Sequence, residues 1–332
     1  MESHRQASEH SAGRLRTRLL GATLLATLSF GAAAAEYPEK PLRAIVPFTP
    51  GGPNDILARV ISPLLAKGLG QNVIVENRPG ADGRIGIEAL ARAAPDGYTI
   101  LFSGSAVALI PALRKNVPYD PVRDIQPVSE LGTSPFVIVV HPQVPARNLT
   151  QLIDLLKKNP GKLNGSSGGN TTFMSLVFFQ LKTGTRIVNI PYKGAGDAAL
   201  AIVRGEADMA IMDYLAFGHH LQSGRIRMLA LAADKRSPEL PDLPTTKEAG
   251  LPGYTAESLF GVFTTGKTPP EAVRRLNMEI NKIIASPDIS KRLVALGMEP
   301  SQKSADEFTR HYLSEVAKWK DVVARAKIPL EN

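Results

Sequence analysis

Two spacings of hydrophobic residues alternate along the chain. Nearly continuous apolar runs at Ala44–Phe48, Val73–Glu76, Thr99–Ser103, Phe136–His141, Ile187–Pro191, Met209–Asp213 and Met228–Ala233 predict strands. Between them, apolar residues three and four apart predict helices over Pro53–Leu69, Ile85–Ala93, Leu149–Lys158, Phe173–Thr183, Asp197–Arg204 and Leu215–Ser223. Strands apolar on both sides belong in a sheet covered on both faces, so the alternation predicts an α/β fold with parallel strands. The pattern changes near the end, where Pro270–Ala285, Asp288–Leu296 and Ala305–Lys327 read as consecutive helices, the last opened by a Ser304/Glu307 capping box. Two extended stretches, Val128–Val139 and Glu257–Thr265, fall where the chain would cross between lobes. The expected architecture has one lobe at 36–135 plus 256–332 and another at 136–255, joined by two strand crossings around a cleft.

Residues 1–35 read as an export leader. Arg14, Arg16 and Arg18 precede the apolar run Leu19–Phe30, and Ala33-Ala34-Ala35 supplies small residues, so cleavage after Ala35 and a periplasmic mature protein are expected. The run is too short for a membrane span of about 20 residues. The remaining chain is too long for one typical core and suits two domains. With no cysteine, disulfide and thiolate chemistry are excluded. The formal net charge of +8 could steer anions toward a cleft. Lys318, Lys320, Arg325 and Lys327 read instead as a solvated helix face, and no basic stripe interleaved with aromatics points to nucleic acid.

Two glycine- and hydroxyl-rich segments carry the candidate chemistry. The first, Thr49–Asp55, runs from a strand through Gly51-Gly52 into a helix with Pro53 at its first position. Such a turn presents unpaired N–H groups and the positive end of a helix dipole, and glycine lets an anion approach closely. The second, Gly165–Thr172, leads into the helix at Phe173. Thr49, Gly51, Gly52, Asn54 and Asp55 on one side, and Ser166, Ser167, Gly169, Asn170 and Thr171 on the other, are therefore candidate contacts to a carboxylate. Ser103 and Ser105, after a strand, would touch the far end of the ligand, and Asp213 could accept from an amino or hydroxyl group. Plainer roles compete: Ser166, Ser167 and Thr171 as helix caps, Asp55 as a carboxylate on its own helix dipole. Tyr192-Lys193-Gly194 reads as a packing and turn element.

A longer pattern runs from about Tyr37 to Ile328. Its pieces are Pro50-Gly51-Gly52 with Asp55 and Ala58-Arg59, Gly70-Gln71, Val75-Glu76-Asn77-Arg78-Pro79-Gly80-Ala81, Ile85-Gly86, Pro95-Asp96-Gly97-Tyr98-Thr99, Pro118-Tyr119-Asp120-Pro121, Pro191-Tyr192-Lys193-Gly194 and Pro252-Gly253-Tyr254. In this order the chain resembles the substrate-binding proteins of tripartite tricarboxylate transporters, the Bug family. The resemblance implies a type II, Venus-flytrap periplasmic binding protein that closes on a small carboxylate and delivers it to a permease of one large and one small integral subunit. No cofactor, metal or catalytic residue is expected, and the receptor is expected to be a monomer. The chain departs from the pattern at Phe173, where histidine is usual, at Leu259, where tryptophan is usual, and at Ile110-Pro111, where asparagine-proline is common.

Gly261–Thr268 satisfies a nucleotide P-loop by letter, but Pro269-Pro270 follow at once and delay the helix that a P-loop needs. The adjacent His219-His220 point to different helix faces and form no chelating pair. The alternatives to a transport receptor are a periplasmic enzyme acting on a small carboxylate and a ligand sensor feeding a signalling partner. No Gly-x-Ser-x-Gly elbow in strand–turn–helix context supports the enzyme.

Overall fold

The computed structural model describes residues 37–331; the expected leader at 1–35 lies outside the described residues. Every element below belongs to the compact unit that begins at Lys40. In chain order these are β1 (Leu42–Val46), α1 (Pro53–Leu69), β2 (Val73–Asn77), α2 (Arg84–Ala91), β3 (Thr99–Gly104), α3 (Ala106–Leu113), β4 (Ile125–Val140), α4 (Leu149–Lys158), β5 (Asn164–Ser167), α5 (Asn170–Thr183), β6 (Val188–Pro191), α6 (Ala195–Arg204), β7 (Met209–Asp213), β8 (Arg227–Leu231), β9 (Glu257–Thr265), α7 (Pro270–Ala285), α8 (Pro287–Ala295), β10 (Glu299–Pro300) and α9 (Ala305–Ala326).

The strands run in the order β2-β1-β3-β9-β4-β7-β5-β6, with β8 and β10 also on β4. β1 lies parallel between β2 and β3, and β5 lies parallel between β6 and β7. The strands that join these halves are antiparallel. Ile125–Pro135 of β4 pairs with β9, whereas Phe136–Val140 of the same strand pairs with β7 and β8. The neighbours of β4 thus change between Pro135 and Phe136, and the chain returns at Ala256, whose N–H donates to Ala232 and whose carbonyl accepts from Phe136. The result is an α/β fold in two halves bridged by β4 and β9.

Helix α9 packs along both halves. Phe308 and Tyr312 sit on Phe263 of β9, with ring centroids 5.2 and 5.5 Å away. Two turns further on, the buried Trp319 meets Phe178 of α5 edge-on at 6.5 Å, and Phe178 stacks on Tyr254 at 5.1 Å. Aromatic pairs of this kind contribute about 0.5–1.5 kcal/mol each beyond buried area. His311 of the same helix touches both bridging strands: Nδ1 donates to Glu130 of β4 at 2.7 Å and Nε2 lies 3.1 Å from Glu257 of β9.

The expected elements recur, with the following main differences. The apolar run at Phe136 and the crossing at Val128–Val139 form one 16-residue strand. Gly165–Ser167, expected as the start of a loop, lies in strand β5, because neighbours on both sides satisfy its backbone while its small residues admit Leu176 and Ile187 over Gly165. Ala106–Leu113, unassigned, is helix α3; almost wholly buried, it has no polar face to give a period. Leu215–Ser223, expected as α-helix, lies in 3-10 turns over Tyr214–Gln222. The P-loop lookalike is strand and turn: Gly261–Thr265 belongs to β9, Lys267 has φ +69°, and the helix starts only at Pro270.

Candidate functional site

The first glycine turn is fastened from behind. After β1 the chain reverses at Gly51, with φ +87°, and Gly52 caps α1 in extended geometry. Asp55 faces inward and is buried. Its carboxylate accepts from the Gly51 N–H at 2.9 Å, the Arg59 guanidinium at 3.0 Å and the Asn77 amide at 2.8 Å. The hydrogen bond from Arg59, with those from Gly51 and Asn77, holds the Asp55 carboxyl at about 2 despite burial. Asp55 therefore shapes the turn.

The second turn follows β5. Ser166 is fully buried and its hydroxyl donates to the Ala198 carbonyl at 2.9 Å, and Ser167 is buried at the strand's end. A Cβ added at Gly168 would lie 2.4 Å from Gly194 and Ala195, so only glycine lets the start of α6 pack here. Gly169 caps α5 with φ +139°. A third turn leaves β3. Ser105 exchanges two bonds with Leu259 of β9, its hydroxyl accepting at 2.9 Å and its N–H donating at 3.2 Å. Ser103 is buried just before it, and its hydroxyl has no partner.

These turns meet at one cavity of about 130 Å³, lined by Phe48, Asn54, Gly104, Ser105, Ala106, Thr171, Ser258, Leu259 and Phe260. Asn54, Ser105–Ala106 and Thr171 stand at the N-terminal ends of α1, α3 and α5. The first helical bonds of these helices come from Ile56, Ala108 and Phe173, so the N–H groups ahead of them have no intrahelical acceptor. None of the three helices has a side-chain cap, whereas α4 and α9 are capped by Asn148 and Ser304. Three positive helix ends, two from one half of the sheet and one from the other, thus surround a cavity lined by no lysine or arginine.

Of the residues singled out in the sequence, Asn54, Ser105 and Thr171 line the cavity, and Gly52 and Gly169 start two of its helices. Asn170 reaches across to Asp82, its amide 3.4 Å from the carboxylate. Asp55, Ser103, Ser166 and Ser167 lie behind the surface, and Thr49 and Gly51 are exposed outside the lining. Asp213, at the end of β7, accepts from Ser258 at 3.3 Å; burial pushes its carboxyl up to about 6 against hydrogen bonds from Ser134 and Ser258. Phe48, Ser258 and Phe260 escaped the sequence reading, whereas Leu259 is one of the departures from the family pattern noted above. A polar residue at the start of the apolar β9 was the available signal for Ser258. A larger apolar groove of about 930 Å³ lies between α3, residues 117–123 and α9. It is built from the β1–β3 side and the terminal helix alone, so moving the halves together would not enclose a ligand there. No group of three metal-ligating residues occurs among the described residues.

A family profile described as "Tripartite tricarboxylate transporter family receptor" matches residues 57–328. Protein BugT of Bordetella pertussis is 36% identical over 315 residues, covering 92% of this chain and 97% of BugT. An R. palustris protein solved with adipate is 32% identical and superimposes with a TM-score of 0.73 over 88% of this chain and 98% of that one. MatC from Rhodopseudomonas palustris, with bound malate, is 31% identical with a TM-score of 0.69 over 86% and 100%. Sequence pattern, bridged two-half architecture and these likenesses agree: the chain belongs to the receptor family of the tripartite tricarboxylate transporters.

Proposed function

We propose that this chain is a periplasmic receptor that captures a small organic carboxylate between two lobes and delivers it to a membrane permease with one large and one small integral subunit. The observation that carries the reading is the convergence of three uncapped helix N-termini, from both halves of the sheet, on one cavity. Backbone N–H groups at helix starts bind anions without a cationic side chain. Micromolar affinity needs about 8 kcal/mol, and hydrogen bonds to a charged group contribute about 1.5–3 kcal/mol each, so four or five such bonds suffice. Adipate and malate in the two R. palustris structures are ligands of the same chemical class. The lobes are assigned to 36–135 plus 256–332 and to 136–255, with closure bending β4 and β9 where their pairing changes. The receptor acts as a monomer, with no catalytic step. Among the described residues no helix is long and apolar enough to cross a membrane, and a cleaved leader would release the chain into the periplasm.

The test is a thermal-shift screen of the exported protein against a carboxylate library, followed by calorimetry on the hits. Gly52→Val supplies the control. Gly52 has φ −77°, and an added Cβ would meet only the Thr49 carbonyl at 3.7 Å, so the fold tolerates a side chain there. The expected result is at least tenfold weaker carboxylate binding with a melting temperature within a few degrees of the parent. Unchanged affinity refutes the role of this helix start.

A further inference from the structure

We propose that Ser258 and Asp213 form the far end of this binding site and select a ligand that carries an ammonium group away from its carboxylate: an amino acid rather than a plain dicarboxylate. This rests on the receptor reading above and names the ligand class.

The helix starts at Asn54, Ala106 and Thr171 supply positive potential for one anionic group. The same cavity is walled by Ser258, which belongs to β9 and has the opposite polarity of neighbour. Its hydroxyl donates to Oδ2 of Asp213 at 3.3 Å, a long bond that leaves the hydroxyl oxygen free to accept. Asp213 is half-buried where β7 ends, opposite Phe136 of β4. It forms no ion pair among the described residues, in contrast to the inward-facing Asp55 and Glu130, which lie against Arg59 and Lys303. Burial raises its carboxyl to about 6, so at neutral pH it is mostly ionised, with hydroxyl partners but no counter-charge. An ammonium placed against Ser258 would supply that charge and accept no penalty from the uncharged lining. A second carboxylate in the same place would meet a like charge and no cationic side chain. The site is therefore polarised, positive at three helix ends and negative at Ser258–Asp213, which is the complement of a zwitterion.

The experiment is calorimetry on the exported protein at pH 7.5 with two matched series that differ only in the far group. The four-carbon series is 4-aminobutanoate, 4-hydroxybutanoate, butanoate and succinate; the six-carbon series is 6-aminohexanoate, 6-hydroxyhexanoate, hexanoate and adipate. In at least one series the amino acid is expected to bind about tenfold or more tightly than the dicarboxylate and the unsubstituted acid, with the hydroxy acid between them. Asp213→Asn is expected to remove most of that preference, bringing the amino acid to within about threefold of the unsubstituted acid in the same variant. The parent's own ranking stands as a test even where a variant fails to fold. Equal or tighter binding of succinate or adipate, or an unchanged ranking in folded Asp213→Asn, overturns this inference and leaves the carboxylate receptor standing. No binding by any member of either series overturns this inference, whereas the receptor reading falls only if the carboxylate library also gives no hit.

Discussion

Replacing His311 by glutamine should loosen the junction of the two bridging strands, by an amount that depends on pH. The imidazole is about four-fifths buried, with Nδ1 2.7 Å from Glu130 and Nε2 3.1 Å from Glu257. Lys303 completes the charged cluster, its ammonium 2.6 Å from Glu130. Hydrogen bonds to Glu130 first and Glu257 second raise the imidazole from 6.5 to about 9, so it is a cation in the folded protein at neutral pH. Burial pushes Glu130 upward, but its bonds from His311 and Lys303 together outweigh that and leave it below its ordinary value. A rise of that size in His311 corresponds to about 3 kcal/mol of preference for the charged form in the folded chain. Because the folded value lies above the unfolded one, this stabilisation is fully present below pH 6.5 and is lost as pH rises through about 9. His311→Gln should therefore cost about 2–3 kcal/mol at pH 6 and under about 1 kcal/mol at pH 9.5. Urea unfolding of parent and variant at pH 6, 8 and 9.5, with equal slopes, measures the difference. A difference that stays constant across this range, or lies below about 1 kcal/mol at pH 6, refutes the charged clamp.

Two other substitutions probe the turns that build the cavity. In Gly104→Ala the new methyl would lie 2.0 Å from the Leu259 carbonyl, so β9 must shift; a loss of about 2 kcal/mol or more is expected in chemical denaturation, with weaker ligand binding. Asp55→Ala removes the acceptor for Gly51, Arg59 and Asn77 and should cost about 1–3 kcal/mol at pH 7. Because the Asp55 carboxyl is lowered from 3.8 to about 2 in the folded chain, its contribution is present above pH 3.8 and fades as pH falls toward 2. Acid titration followed by circular dichroism should accordingly bring parent and variant together at low pH.

How legible the fold was depends on whether its signal was local. Helices α1, α4 and α7 match the sequence pattern to the residue, because Pro53, Asn148 and Pro270 start them and each has one apolar face. The β9 crossing was legible too, since a nine-residue extended stretch between a glycine turn and Pro269-Pro270 has few other uses. Helix α3 was not: Ala106–Leu113 is apolar on nearly every side and includes Pro111, and its N-cap Ser105 spends its hydroxyl on Leu259, so little separates it from a buried strand or loop. Strand β5 failed for the opposite reason. Asn-Gly-Ser-Ser has turn composition, and only β6 and β7, from distant parts of the chain, make it a strand.

The same distinction explains the site. The glycine turns announce helix starts locally, so Gly52, Asn54, Gly169 and Thr171 could be read from their own neighbourhoods. What lies on the surface and what lies behind it is set by contacts across the chain. Ser166 has the same sequence credentials as Thr171, yet it ends up inside β5 with its hydroxyl on Ala198, 32 positions away. Ser105 became part of the site only because Leu259, 154 positions away, clamps it to β9. That clamp also brings Ser258, with its hydrogen bond to Asp213, to the cavity, so this polar wall is a product of the crossing strands. The helix starts around the cavity are written in local turn chemistry, whereas the Ser258 wall is assembled by the pairing of β3, β9, β4 and β7. Under the proposed reading, substitutions along those strands change which ligand is taken while the glycine turns, and the carboxylate site they build, stay the same.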